Sequence, residues 1–495
     1  MRVNILFGGK AGQGPNILTH LLGEALVKKG YSVFYARDYQ SVIRGGHNFN
    51  VLTFSEEPVF SNDNELDVLV ALDEDTENIH KKNLKKQGIL LKGEKENMYY
   101  AGAVFRLFGF DFGFLQEELK KLKNYEENLK NTKEGYEKER TSFFKVKDIK
   151  NNNYFQNGSQ GISQGAVKSG LDIYYAYPMT PATSILNELA EKQIEENHLV
   201  LELENEIAVI NAAIGSAIIG AKAMVGTSGG GFDLMTEGLS LAGMVKVPLV
   251  VYLSQRPGPA TGVPTYTSQG DLDLARYAGH GEFNRIVLAP GDPKECQELI
   301  SQAFYFSQKY KIPVIVLSDK HLAESFYTLE EKPKITSSKK SAVLKKYSSY
   351  EHTKEGISTE DTSVIKANFE ARLKTGKDIA KEAEKFESFK LHGKKQSKNI
   401  VVSWGSTKGA ILDSIKDVDC RFLQVLYIEP FSEKIKSVLQ GKNIILVENN
   451  ATAQLGNLIA EKTGIFIEEN NKILRYDGRP FLADELKEEI KNRLK

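Results

Sequence analysis

The stretch Leu199–Phe232, LVLELENEIAVINAAIGSAIIGAKAMVGTSGGGF, contains one structural pattern twice over. Leu199–Leu203 is a short apolar run of strand length, and Asn205 behind it suits the capping position of a helix. Ile207–Ala221 is almost wholly apolar and small, which predicts a buried helix. Ala223–Gly226 is a second strand, and Thr227-Ser228-Gly229-Gly230-Gly231-Phe232 leads from it into another helix. Strand, helix and strand in close succession predict a mostly parallel sheet covered on both faces.

The pattern extends outward over Gly158–Lys332, with further strands at Leu171–Tyr175, Leu249–Leu253, Arg285–Leu288 and Val314–Leu317. Before it, Met1–Lys147 reads as another α/β segment. Its strands fall at Val3–Phe7, Tyr31–Ala36, Asn50–Phe54 and Leu66–Ala71, with helices at Asn16–Lys29 and Phe114–Lys123. Asn124–Asn153 is charged, with few apolar anchors, and its later part reads as a linker. Pro333–Ser397 is rich in Lys, Ser and Glu and reads as a peripheral linker. Residues 398–495 are α/β again, with strands at Ile400–Trp404, Arg421–Val425 and Ile444–Glu448. The expected organisation is therefore three α/β domains over 1–147, 158–332 and 398–495, as the length of 495 residues also suggests.

Composition excludes some functions. The 65 basic residues balance 65 acidic ones, which argues against a general nucleic-acid or anionic-membrane surface. No apolar run approaches the roughly 20 residues of a membrane span. Met1–Leu6 reads directly as a strand rather than a signal peptide, so a cytoplasmic protein is expected. Cys296 and Cys420 are the only cysteines, too few for a Cys₄ iron–sulfur or zinc site built by this chain alone.

Five strips carry residues suited to chemistry. Gly8-Gly9-Lys10-Ala11-Gly12-Gln13-Gly14 joins a strand to a helix, and Gly9, Gly12 and Gly14 suit either a phosphate cradle or a close-packed turn. Asp38 lies where a ribose-binding acid would, and Arg44-Gly45-Gly46-His47-Asn48 is a second glycine cluster. Tyr177-Pro178-Met179-Thr180-Pro181-Ala182-Thr183 is a βα turn stiffened by two prolines, either a ligand-facing strip or a turn capped by Thr183 or Ser184. Glu206 falls in the first turn of the apolar helix, where a carboxylate either steadies the helix dipole or exchanges a proton with a heterocyclic nitrogen. The loop Gln255–Thr265 sets Arg256, a planar donor fork suited to a carboxylate, among three prolines, with Thr265 nearby.

Together these strips resemble the α subunit of 2-oxoacid:ferredoxin oxidoreductases in the form with a γ domain fused at its N-terminus. GGKAGQG, SVIRGGHN, YPMTPAT, the run from Glu204 to Ala242, QRPGPATGVPTYTSQGDL and ILRYDGRPF carry the resemblance, in order and over nearly the whole chain. It implies a Rossmann-like γ domain, a pyrimidine-binding thiamine diphosphate domain and a transketolase C-terminal-like domain. It further implies oxidative decarboxylation of a 2-oxoacid, 2-oxoglutarate foremost, with coenzyme A taking the acyl group and ferredoxin the electrons. Glu206 matches the glutamate that bonds the aminopyrimidine ring, Ser228, Gly229 and Gly230 match the cofactor loop, and Thr180 matches a threonine near cofactor and substrate. Arg256 and Thr265 match positions that bind the 2-oxoacid, with Tyr177 and Pro178 shaping that pocket. The diphosphate–Mg²⁺ motif and the cysteines of a [4Fe-4S] cluster are missing here, so the resemblance implies a β subunit that shares the cofactor, in an (αβ)₂ assembly.

The sequence departs from the family's pattern in places. Met179 stands for isoleucine, Gly230 for a frequent proline (which predicts a more flexible 228–232 loop), and Gly158-Ser159-Gln160 for Gly-Asn-Glu. Pyruvate or a branched-chain 2-oxoacid is an alternative substrate. A transketolase-type enzyme and a non-catalytic nucleotide-binding regulatory protein are alternative functions.

Overall fold

The computed structural model describes residues 1–40, 46–93, 95–151, 153–341 and 346–494. Where the sequence suggests three domains, contacts divide the chain into two compact units. One comprises Met1–Gln156, Ser325–Glu331 and Leu482–Glu488; the other comprises Asn157–Glu324, Lys332–Phe481 and Glu489–Lys495.

The first unit is built on a seven-stranded sheet in the order Leu84–Lys92, Leu66–Ala71, Arg2–Lys10, His47–Ser55, Ser32–Asp38, Phe326–Leu329, Tyr154–Asn157. The sheet is mixed: Arg2–Lys10 runs parallel to Leu66–Ala71 and antiparallel to His47–Ser55. Pro15–Lys28 packs its Leu18, Leu22, Ala25 and Leu26 against the sheet core. The polar stretch after Asn124, of which only the later part reads as a linker, opens with a helix the apolar pattern does not show. Tyr125–Lys138 is a helix that meets Asn97–Leu107 backbone to backbone at Gly102 and Gly135. A Cβ on Gly102 would lie 1.9 Å from the Thr132 carbonyl oxygen, and one on Gly135 1.9 Å from that of Tyr99. This contact uses missing side chains rather than an apolar stripe, so hydrophobic periodicity does not reveal it. Beyond it the chain is pinned by Phe143 N–H to Leu107 (2.9 Å) and Ile149 N–H to Lys29 (2.8 Å).

The second unit holds two sheets. The larger runs Tyr427–Glu429, Ile286–Leu288, Pro313–Asp319, Leu249–Gln255, Ala223–Thr227, Ile173–Ala176, Leu199–Glu202, and is parallel except for the first strand. The smaller is Phe389–Gly393, Arg421–Val425, Asn399–Trp404, Asn443–Glu448, Lys472–Leu474. One apolar core joins both, from Val225 and Leu253 to Trp404 and Leu446. Part of the stretch read as a peripheral linker is regular structure: Thr362–Ala383 is a 22-residue helix, and Phe389–Gly393 is a strand paired antiparallel with Arg421–Val425.

The apolar helix is Glu206–Ile218, ending before Gly220 in the left-handed region (φ 95°). It is not buried all round. Val209, Ile210, Ala213, Ile214 and Ala217 pack on the sheet, while Ile207 (51 % exposed) and Ile219 (73 %) face outward with Asn211 and Gly215. A helix covering a sheet buries one stripe, and this one is apolar on the other side as well.

Candidate active site

Four neighbouring parallel strands, Leu249–Gln255, Ala223–Thr227, Ile173–Ala176 and Leu199–Glu202, end beside the strips selected from sequence. Ligands of open parallel sheets bind at this carboxyl edge. At one end of the row, the Asn205 side chain accepts the Ala208 N–H (2.9 Å) and fixes the helix start. Glu206 follows as the first helical residue, only 3 % exposed, and its Oε1 has no hydrogen-bond partner. Leaving a buried polar atom unpaired costs about 1–3 kcal/mol, more for a charged one. A donor supplied by a ligand would remove that cost.

The three glycines after Ala223–Thr227 are the first turn of the helix Gly229–Val245, not a flexible loop. Two of them make room for acids. A Cβ on Gly231 would lie 2.6 Å from Glu206 Oε1 and 2.2 Å from Thr227 Oγ1, and one on Gly229 2.5 Å from Asp271 Oδ2. Gly230, between them, is open, its nearest neighbour being the Ala260 carbonyl at 3.7 Å. Ser228, the capping residue, is buried with its hydroxyl unpaired.

Arg256 is half-buried, and its Nη1 donates to the Thr180 carbonyl at 2.7 Å. That bond joins the arginine loop to the Tyr177–Thr183 strip. Burial pulls the Arg256 pKa down, and the Asp271 charge partly restores it. Tyr177 and Pro178 are exposed beside Thr180, whose bond to Pro181 is cis. The expected cap by Thr183 or Ser184 is not formed: Thr183–Lys192 starts after Ala182 without a side-chain cap, and the Ser184 hydroxyl donates instead to the Pro181 carbonyl. Thr265 is buried on the arginine loop, which folds back through Val263 N–H to the Pro257 carbonyl (3.0 Å). The 475–481 strip braces this loop, with Thr267 N–H bonded to Gly478 and the Arg479 guanidinium 3.8 Å above the Tyr266 ring. Gly158-Ser159-Gln160 has a structural part: Asn157 and Gln160 form a capping box, and Ser159 bonds to Ser184 and the Ala323 carbonyl.

The glycines of the N-terminal loop lie in the first unit. Gly12 (φ 94°) and Gly14 (φ 78°) need left-handed backbone, and Gly9 is packed against Gln13 and Leu72. Gly12 and Gln13 line a cleft of about 860 Å³ whose walls carry Glu74, Glu77 and Glu134 against Lys92 and Lys95. His47 is bonded to His80 (Nε2–Nε2 2.8 Å), and burial lowers both imidazoles, His80 to about 4. Arg44 and Gly45 lie outside the described residues.

Sequence reasoning assigned no role to Asp271, to the buried Gln255 whose Oε1 accepts the Asp271 N–H, or to Gln269, which bonds the Trp404 carbonyl and Asn449. The signal was the glycine triplet itself, since helix-forming glycines mark places where a neighbour needs room.

The segment holding these side chains, residues 164–395, matches a family model described as pyruvate flavodoxin/ferredoxin oxidoreductase, thiamine diphosphate-binding. Residues 4–96 match the pyruvate ferredoxin/flavodoxin oxidoreductase model. Residues 164–395, within the second unit, thus form a thiamine diphosphate-binding α/β segment of the oxidoreductase type. Over 99 % of this chain and 96 % of its relative, the sequence is 30 % identical to the 2-oxoacid:ferredoxin oxidoreductase subunit alpha of Sulfolobus sp.. The chain belongs to that family, as an alpha subunit. It is also 30 % identical to the 2-oxoglutarate synthase subunit KorA of Methanocaldococcus jannaschii, over 60 % of this chain and 88 % of that one. In fold it matches the 2-oxoglutarate:ferredoxin oxidoreductase of Magnetococcus marinus, solved with 2-oxoglutarate, coenzyme A and succinyl-CoA, with a TM-score of 0.89, full coverage of both chains and 23 % identity. Among the described residues no helix is long and apolar enough to cross a membrane.

Proposed function

We propose that this alpha subunit acts on 2-oxoglutarate, with thiamine diphosphate held jointly with a β subunit. The observation that carries the reading is the buried, unpaired Oε1 of Glu206 against the Cβ-free face of Gly231. That oxygen would accept a hydrogen bond from, or exchange a proton with, the aminopyrimidine ring. Thiamine diphosphate, when bound, supplies the carbon nucleophile that attacks the 2-oxo group and takes up the electrons released with carbon dioxide. Arg256, steadied by the Thr180 carbonyl, would bind the substrate's C1 carboxylate, and Thr265 shares its loop. 2-Oxoglutarate is favoured by the names of the KorA relative and of the Magnetococcus neighbour.

Cys296 and Cys420 are both buried and free, so the [4Fe-4S] cluster that passes electrons to ferredoxin, and the Mg²⁺, are assigned to the β subunit. The outward face of Glu206–Ile218 supports that partner. Ile207 adjoins Glu206 and is exposed, as are Ile219 just past the helix and Leu199 and Leu201 of the edge strand, apolar side chains that a second chain would cover. The cleft beside Gly12 and Gln13 has room for part of coenzyme A.

Coexpression with the β subunit followed by coenzyme-A-dependent viologen reduction on a panel of 2-oxoacids tests the reading. 2-Oxoglutarate should give the highest kcat/KM, and Glu206→Ala should abolish turnover. Full activity in that variant would refute the assignment.

A further inference from the structure

The loop that carries Arg256 and Thr265 is held differently at its two ends. At the first it continues the strand Leu249–Gln255, where the buried Gln255 donates through Nε2 to the Ser318 carbonyl (2.9 Å) and accepts the Asp271 N–H (2.9 Å). At the second, residues 265–271 belong to no helix or strand, and the helix Leu272–Tyr277 begins only after them. Irregular backbone keeps one position only where other segments hold it.

Here the holding runs through Asn449, a residue 3 % exposed just past the strand Asn443–Glu448 of the smaller sheet. Its carbonyl accepts the Gln269 N–H (2.8 Å), and its own N–H donates to Gln269 Oε1 (2.9 Å). Its Nδ2 donates to the carbonyls of Arg475 and Arg479 (3.0 Å each) and so fixes the chain on both sides of Gly478. Gly478 in turn accepts the Thr267 N–H (3.1 Å). With φ 81° and no side chain it lies close against the loop: a Cβ there would be 3.2 Å from Cβ of Tyr266 and 3.7 Å from Cγ of Pro257. Pro257 follows Arg256 and Tyr266 follows Thr265, so one asparagine reaches both halves of the loop, beside both proposed substrate contacts. Trp404, Asn450 and Asp319 each add a bond to Gln269 or Thr267.

We infer that Asn449 is a positioning residue for 2-oxoacid binding: it sets Arg256 and Thr265 relative to each other from a sheet that supplies neither, a step that rests on the proposed role of those two residues. The C1 carboxylate assigned to Arg256 is common to every 2-oxoacid, so loosening the loop weakens all of them alike. Glu206 follows a different strand and keeps its place, so turnover at saturating substrate is spared.

The test uses the αβ complex, assayed by coenzyme-A-dependent viologen reduction, with thiamine diphosphate affinity and thermal unfolding measured alongside. Asn449→Asp puts an acceptor where two carbonyls need a donor. Asn449→Ser is the milder variant, removing the donor without adding charge. Each should raise the KM of every 2-oxoacid turned over, Asn449→Asp by about tenfold, the scale of one hydrogen bond to a charged group. Their kcat should stay within about twofold of wild type, with thiamine diphosphate affinity unchanged. A folded variant with wild-type KM overturns the inference. So does a kcat or a thiamine diphosphate affinity that falls as far as KM rises, and so does failure of both variants to fold, since Asn449 would then serve the fold as a whole. Arg256→Ala separates this step from the reading beneath it. A KM raised there and unmoved in the Asn449 variants overturns the inference alone; a KM that Arg256→Ala leaves unmoved overturns the proposed role of Arg256 and the inference with it.

Discussion

Two glutamates in the second unit share an address and differ in everything else. Glu206 and Glu295 both sit in the first turn of a helix at the carboxyl side of a parallel sheet, and both are almost fully buried. Glu295 is saturated: Oε2 accepts from Gly291 N–H (2.8 Å) and Gln424 Nε2 (2.6 Å), and Oε1 from Lys408 (2.6 Å) and Lys390 (2.9 Å). Among the described residues Glu206 forms no ion pair, and its Oε1 has no hydrogen-bond partner. Burial alone therefore does not mark a working carboxylate. The saturated one ties the helix Pro293–Tyr310 to the smaller sheet, and the orphaned one is placed to receive a ligand.

Stability should separate the two most sharply. Lys408→Met removes a buried cation from both Glu295 and Asp292, and breaking a buried pair by deleting one partner is worth about 3–5 kcal/mol. Denaturant unfolding should show a loss of that size, whereas Glu206→Gln, which strands no cation, should change stability by less than about 1 kcal/mol. Equal losses in the two variants would erase the distinction.

Activity should separate them in the opposite sense. Gly231→Ala puts a methyl group 2.6 Å from Glu206 Oε1, so the carboxylate must swing away from its buried position. Misplacing a proton-exchanging group forfeits on the order of 100-fold in rate, and kcat of the αβ complex should fall by about that factor. Lys408→Met, assayed where it is still folded, should keep most of its turnover per molecule.

Acid should act through Glu295. Burial by itself would raise its pKa, but Lys408 and Lys390 more than offset this and hold the carboxyl well below the usual carboxylate range. Its folded pKa lies under the unfolded value of about 4.3, so the stability it contributes is present above that value and is lost as pH falls below it. Unfolding free energies measured from pH 5 down to pH 3 should fall less steeply in Glu295→Gln, by up to about 1.4 kcal/mol per pH unit.

The difference between the glutamates was half legible in the sequence. Glu206 stood out because Asn205 caps, the helix behind it is apolar, and its neighbours fit a family's order of motifs. Glu295 gave no sign, because its partners Lys390, Lys408 and Gln424 are some 95 to 129 residues away. The parallel sheet was readable from its apolar strands, although Pro313–Asp319 and Leu249–Gln255 each run to 7 residues, past the polar ends where the apolar pattern stops. The helix Tyr125–Lys138 was not, since glycine-to-carbonyl contact leaves no apolar period. Asp271 lies inside a matching motif yet carries no reading from sequence, because its neighbours Gly229 and Gln255 come beside it only in space.

The finest test lies one residue from the most damaging one. Gly230 belongs to the same helical turn as Gly231, but a methyl group there meets nothing nearer than the Ala260 carbonyl at 3.7 Å, ordinary van der Waals distance. Its backbone is helical, and alanine in a helix is favoured over glycine by about 0.5–1 kcal/mol because less conformational freedom is lost on folding. Gly230→Ala should therefore raise stability slightly and leave kcat within about twofold of wild type. If it impaired turnover as Gly231→Ala does, the glycines would be needed for backbone approach by a ligand, and the space they leave for Glu206 and Asp271 would not be the reason for them.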